Sequence, residues 1–173
     1  MRTLKSLVRI IVCLVAISTT FQCASSKVAE PQFEEQAPFV VKPVSFQEWY
    51  AGIKVGGTGI NVFIPISKVK NDVEINDVYF RNLQGKLTKS KDQYTAILKN
   101  PSRHYTFKKA ERPADFPFTL SDYDCAISYT ENGQIKYYKI TGLSEGAGTY
   151  YENGPPSIYV RPISTRLATV DDE

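Results

Sequence analysis

The sequence predicts an all-β fold, an antiparallel β-sandwich or partly open barrel with at most one short helix. Three observations carry that expectation. Apolar and polar residues alternate with a period of two over many short stretches, Gly and Pro recur between those stretches, and one Asn-Gly pair sits where a tight hairpin would turn.

In chain order, Phe39 to Val44 is the first expected strand. Ser45 with Glu48 three residues later forms a capping box ahead of Trp49 and Tyr50, which predicts a single helical turn. Gly56-Gly57-Thr58-Gly59 follows. A phosphate loop would need a helix after it and a closing Lys-Ser/Thr, whereas here a strand follows, so the glycines predict a tight bend or bulge between strands. Ile60, Val62, Ile64 and Ile66 alternate with Asn61, Phe63, Pro65 and Ser67 and make the clearest strand. Pro65 cannot donate to a ladder, which predicts a sheet edge or a bulge there.

Asp77 to Leu83, Tyr94 to Leu98 and Phe116 to Leu120 are further expected strands, and Ile158 to Val160 is the last. Between them lies the hairpin from Cys125 to Ile140, because Asn132-Gly133 suits a two-residue type I′ turn. That turn fixes the register: Tyr129 opposes Lys136, Ile127 opposes Tyr138 and Cys125 opposes Ile140, all on one face. Cys125 is therefore expected to point into the core. The opposite face, with Ala126, Ser128 and Thr130, is more polar. Gly142 to Pro156 is expected to be a long glycine-rich loop carrying adjacent Tyr150 and Tyr151. Many short strands separated by turns suggest an immunoglobulin-like architecture.

The chain has 173 residues and a formal charge of +3. All of the excess lies in Arg2, Lys5 and Arg9, and the remainder is balanced, so the basic character does not point to nucleic acid. That basic start precedes eight apolar residues, Ile10 to Ile17, and the polar run Ser18-Thr19-Thr20, the layout of an export signal. Eight residues are too few to cross a bilayer, which takes roughly 20 in a helix. Residues 24 to 37 lack an apolar period and are expected to be a tether, leaving one β domain over 38–173.

Thr20-Phe21-Gln22-Cys23-Ala24-Ser25-Ser26 resembles the lipobox of bacterial lipoproteins, in the short form found in Bacteroidota. With the Glu48-to-Val62 segment and the Ile127-to-Gly133 hairpin, the chain is similar to small flavobacterial outer-membrane lipoproteins, a group that brings no activity with it. The resemblance implies cleavage after residue 22, a diacylglyceryl group on the Cys23 sulfur and an acylated amine. Two or more acyl chains anchor stably where one does not. It also implies residence in the periplasmic leaflet of the outer membrane, since no acidic residue follows Cys23 closely.

No residue pattern points to catalysis. Cys125 is expected to be a buried structural thiol. His104, the single histidine, is expected to be a loop bystander, with no nucleophile fixed beside it. One histidine and one unmodified cysteine leave no zinc set, so neither a metal nor a cofactor is expected. The chain is therefore expected to be a monomeric, non-enzymatic binding or accessory module for an envelope protein or glycan. The alternative is a carbohydrate-binding module using Tyr150, Tyr151 and Trp49, and an envelope hydrolase is a more distant one. Nine basic residues against two acidic ones between 81 and 112 could form a positive side for lipopolysaccharide, headgroups or an acidic partner.

Overall fold

A computed structural model describes residues 30–101 and 106–155. The lipobox with Cys23, the histidine at 104 and the expected strand at 158–160 lie outside the described residues. Eleven strands make up the described fold: β1 (Val40–Val41), β2 (Ser45–Ala51), β3 (Thr58–Ile64), β4 (Ile66–Ser67), β5 (Val73–Phe80), β6 (Leu83–Lys86), β7 (Thr88–Ser90), β8 (Gln93–Lys99), β9 (Cys125–Glu131), β10 (Gln134–Ile140) and β11 (Ser144–Tyr151).

They form a four-stranded sheet, β10-β9-β5-β6, and a five-stranded sheet, β11-β2-β3-β8-β7, with a small β1-β4 pair at one side. The all-β expectation holds, and the sheets form a sandwich without closing into a barrel. The chain passes between sheets at both lateral edges. On one side β6 runs through buried Leu87 into β7, and on the other β10 leads through buried Leu143 into β11. Each crossing joins two edge strands, so few edges are left bare.

Between the sheets lies a core of Phe46, Ile60, Val62 and Ile64 from one side and Val78, Phe80, Ile127 and Tyr129 from the other. These are the period-two positions of their strands, as pleating requires. Cys125 is fully buried among them. The register of the β9–β10 hairpin is the expected one, Tyr129↔Lys136, Ile127↔Tyr138 and Cys125↔Ile140, with Asn132 and Gly133 both at positive φ.

The structure corrects several expectations. Ser45–Ala51 is strand β2, because pairing on both flanks, with β3 and β11, outweighs a local capping signal. Pro65 does not mark an edge: β3 is central and simply ends there, after which Ile66–Ser67 turns to pair with β1. The expected strand at Asp77–Leu83 is interrupted at Arg81 and Asn82, whose positive φ values of 47° and 65° make a tight turn into β6. Phe116–Leu120 keeps its alternation, with Phe116 and Phe118 buried, but joins no sheet. Pro117 has no amide hydrogen to offer a ladder, and the Thr119 amide donates to the Glu30 carboxylate. The expected loop at Gly142–Pro156 is largely β11, running parallel to β2 with a bulge between Gly146 and Thr149.

The outer face of the four-stranded sheet is also covered. Phe116 and Phe118 lie on Tyr79, Ala126 and Tyr137, and Phe33 stacks on Phe118 at 5.1 Å. Ala126 and Ser128 are consequently buried on the face expected to be polar. Phe33 bridges to Tyr137 in parallel, and the Glu34 amide donates to the Tyr137 carbonyl at 2.8 Å. Glu30, Phe33 and Glu34 thus contact the body, within the stretch expected to be tether.

Candidate functional site

The two poles of the sandwich differ in chemistry. β5 ends at Phe80, opposite Cys125, and the turn that follows places Arg81 at that pole. The Asn82 side-chain amide donates to the Ala110 carbonyl at 2.8 Å, and Asn100 donates through its side chain to the Lys108 carbonyl and through its backbone to Thr58. Residues 107–110 therefore tie the Arg81 turn of one sheet to the β3–β8 end of the other.

Arg81 is held on all sides. Its guanidinium donates to Glu48 at 2.9 Å and to the Asp122 carbonyl at 3.0 Å, with Glu145 at 3.9 Å. The rings of Phe46, Phe80, Tyr123 and Phe107 surround it, with centroids 4.5 to 6.0 Å from the guanidinium carbon. The Tyr50 hydroxyl donates to the other Glu48 oxygen at 2.9 Å. Glu48 reaches this position because residues 46, 48 and 50 of β2 share the inward face. Burial, that hydrogen bond and the charges of Glu48 and Glu145 all raise the Tyr50 hydroxyl above its ordinary range. A guanidinium, a carboxylate and a phenol that satisfy one another form a rigid polar lock.

Beyond the lock, the turn from β2 to β3 projects at the same pole. Val55 and Gly56 donate to the Gly52 carbonyl, Ala51 donates to Gly57, and Gly52 donates to Tyr151. Gly56 and Gly57 have positive φ, so the glycine run does make the expected bend. This fixed turn exposes Ile53 (83%) and Val55 (44%), and Tyr150 (66%) stands beside it from β11. An added Cβ on Gly52 would lie 3.0 Å from the Tyr150 hydroxyl, and one on Gly154 would lie 3.6 Å from Val55, so these residues form one tip.

The three expected ligand aromatics do not come together. Trp49 pairs with Gly59 and Thr149 on the outward face of the five-stranded sheet, where it is buried against Gly59. Tyr151 shares that face and is half-buried, its hydroxyl accepting from Asn61 at 3.1 Å. Tyr150 points to the opposite face, as neighbours along a strand must. A sugar platform built from all three is therefore not formed.

No family model matches the chain, and no curated protein or solved structure matches it. Its chemistry has to be argued from its own residues.

Cys125 has no access to solvent. Burial, with the neighbouring Asp124 charge, pushes its thiol pKa far up, opposite to what a nucleophile needs. Among the described residues no group of three His, Cys, Asp or Glu side chains is placed to hold a metal, and no helix is long and apolar enough to cross a membrane.

The described basic residues of 81–112 do not share one face. Arg81 is inside the lock, Lys109 pairs with Asp122, and Arg112 holds the Thr119 hydroxyl. Lys89 and Lys91 instead join Lys42 at a cleft near the other pole. Sequence reasoning missed the tip because an exposed Ile-Lys-Val turn has no distinctive pattern. It missed the Arg81–Glu48 pair because 33 residues separate the partners.

Proposed function

We propose that this protein is a lipid-anchored, non-enzymatic binding module of the cell envelope, held at the periplasmic side of the outer membrane by acyl chains on Cys23. Its contact surface for a protein partner is the Ile53–Val55–Tyr150 tip. The observation that carries this reading is the exposure of Ile53 and Val55 on a hydrogen-bonded turn with exposed Tyr150 beside it on β11. Large apolar groups gathered on a fixed surface are the usual core of a protein contact, and a rigid turn binds with little loss of entropy. The Arg81 lock supports it by holding β2, β5 and β11 in register beneath the tip.

The direction of the tether also favours it. Phe33 runs parallel to β10 and so enters from the Gln134 side, the pole away from the tip. An anchor at one pole leaves the other free for a partner.

The test is affinity capture of the native protein after detergent extraction and crosslinking, with mass spectrometry of partners and of its own N-terminus. The expected result is a lipidated Cys23 at the N-terminus and a partner that disappears with Ile53→Glu or Tyr150→Ala, both at exposed positions. Undiminished capture by these variants would refute the tip, and an unlipidated N-terminus would refute the anchor.

A further inference from the structure

Three lysines from two parts of the chain, Lys42 and the Lys89–Lys91 pair, line an open cleft of about 380 Å³ with Pro65, Ile66 and Ser67, and one acid, Asp92, is among them. All three lysines are exposed, and none forms an ion pair among the described residues. Lys68 follows Ser67 directly. Lys70 is two residues further, where its amide meets the Pro38 carbonyl and its carbonyl accepts from Val73 at the start of β5. Val73 pairs with Glu131 beside the Asn132-Gly133 turn, so these lysines belong to the pole opposite the tip. Asp72 and Glu74 are the other acids nearby, and Lys136 neutralises Glu131, which leaves a net charge of about +2 around the five lysines.

The backbone adds a second observation. Lys68 and Lys91 have φ values of 54° and 53°, the left-handed region that glycine or asparagine occupies with less strain. Lysine occupies two turn positions where its conformation is unfavourable, and strained residues of this kind gather where side-chain chemistry is used.

We propose that this lysine pole is a docking surface for an anionic phospholipid bilayer, which orients the body with its tip away from the membrane. The inference deepens the anchored-module reading and rests on it for the source of the bilayer. The chain reaches the body from the same pole. Only six residues lie between Cys23 and Glu30, whose carboxylate accepts from the Thr119 amide of the body, a reach of about 25 Å at full extension. A short leash keeps the body within a few Debye lengths of the headgroups. Each net lysine near an anionic surface favours contact about fivefold, so two favour this orientation on the order of 30-fold at physiological salt.

The experiment uses the purified native protein with vesicles of phosphatidylcholine alone, or of phosphatidylcholine and phosphatidylglycerol in equal parts. Flotation reads attachment, and acetylation followed by mass spectrometry reads lysine accessibility. We expect flotation with both vesicles and about tenfold slower acetylation of Lys42, Lys68, Lys70, Lys89 and Lys91 on the anionic ones only, reversed by high salt. Lys54 at the tip and Lys99 should react equally on both. The double variant K68G/K91G should lose the protection while its melting temperature holds or rises, which separates this role from a structural one.

Flotation with no selective protection, protection of Lys54 instead, or persistence of protection in K68G/K91G would overturn the proposal. Equal protection by inorganic phosphate alone would do so too, by making the cleft a small-anion site. Flotation with anionic vesicles only would leave the lysine pole standing and remove the acyl anchor, whereas no flotation at all would remove both.

Discussion

Replacing Arg81 with alanine removes the centre of the polar lock. The Arg81 and Glu48 side chains are only 10% and 17% exposed and meet at 2.9 Å. Deleting one partner of a buried pair strands the other, at a cost of about 3–5 kcal/mol. Residual exposure puts Arg81→Ala near the lower end, about 3 kcal/mol, of which roughly 1 is the lost contact with the surrounding rings. For a domain of this size that lowers the melting temperature by about 10 °C. Urea unfolding followed by Trp49 fluorescence, with Arg81→Ala, Glu48→Gln and the double variant, gives the coupling directly, and we expect about 2 kcal/mol. The apolar replacement Arg81→Met with Glu48→Leu should lie within about 1 kcal/mol of wild type, since it removes both charges and keeps the volume. Glu145 is further away at 3.9 Å and more exposed, so Glu145→Gln should change stability by less than about 0.5 kcal/mol. A coupling below about 0.5 kcal/mol would show that the two groups are neighbours without being partners, and the reasoning would fail.

Three other outcomes are expected. Gly59→Ala places a Cβ 2.1 Å from the Leu98 carbonyl oxygen and 2.4 Å from the Trp49 ring, so it should cost about 3 kcal/mol or more and shift the Trp49 emission on the folded protein. Burial makes the Cys125 thiol resist ionisation, so a thiol reagent at neutral pH should label it only as fast as the protein unfolds; rapid native labelling would contradict the placement. Burial disfavours ionised Asp124, but hydrogen bonds from Lys139, Ser121 and the Gly142 amide more than offset it and hold the carboxyl below its ordinary range. A depressed folded pKa stabilises the protein above the unfolded value, about 3.9, and that stability is lost as pH falls through the folded value. Asp124→Asn should accordingly flatten the acid limb of a stability–pH curve below about pH 4 while lowering the plateau.

How much of the fold was legible follows from where the deciding interactions lie. The Cys125–Ile140 hairpin was readable to the residue because Asn132-Gly133 is a local signal that sets its own register. The Arg81–Asn82 turn makes the same bend without a glycine, so nothing local announced it. Ser45–Ala51 has a helical-looking start in Ser45 and Glu48, and what makes it a strand is β3 on one flank and β11, almost a hundred residues later, on the other. β11 looked like a loop because of its glycines. Gly146 and Gly148 are there because Gln47 and Tyr50 pack close, with an added Cβ lying 3.0 and 3.2 Å from those side chains. At the Arg81 pole, alternation correctly placed Cys125 inside. It could not show that Trp49 and Tyr150 would face opposite ways, because β11's pairing with β2 was itself unreadable.

The parallel seat of β11 beside β2 also shapes how the chain reaches its native state. β2 is among the first strands to be made, yet one of its flanks stays bare until residues 144–151 have left the ribosome. Contacts so distant in sequence form slowly, because a long loop must close before any of them is gained. A chain synthesised short of β11 cannot complete its five-stranded layer, and it stays open and threadable until that strand has emerged.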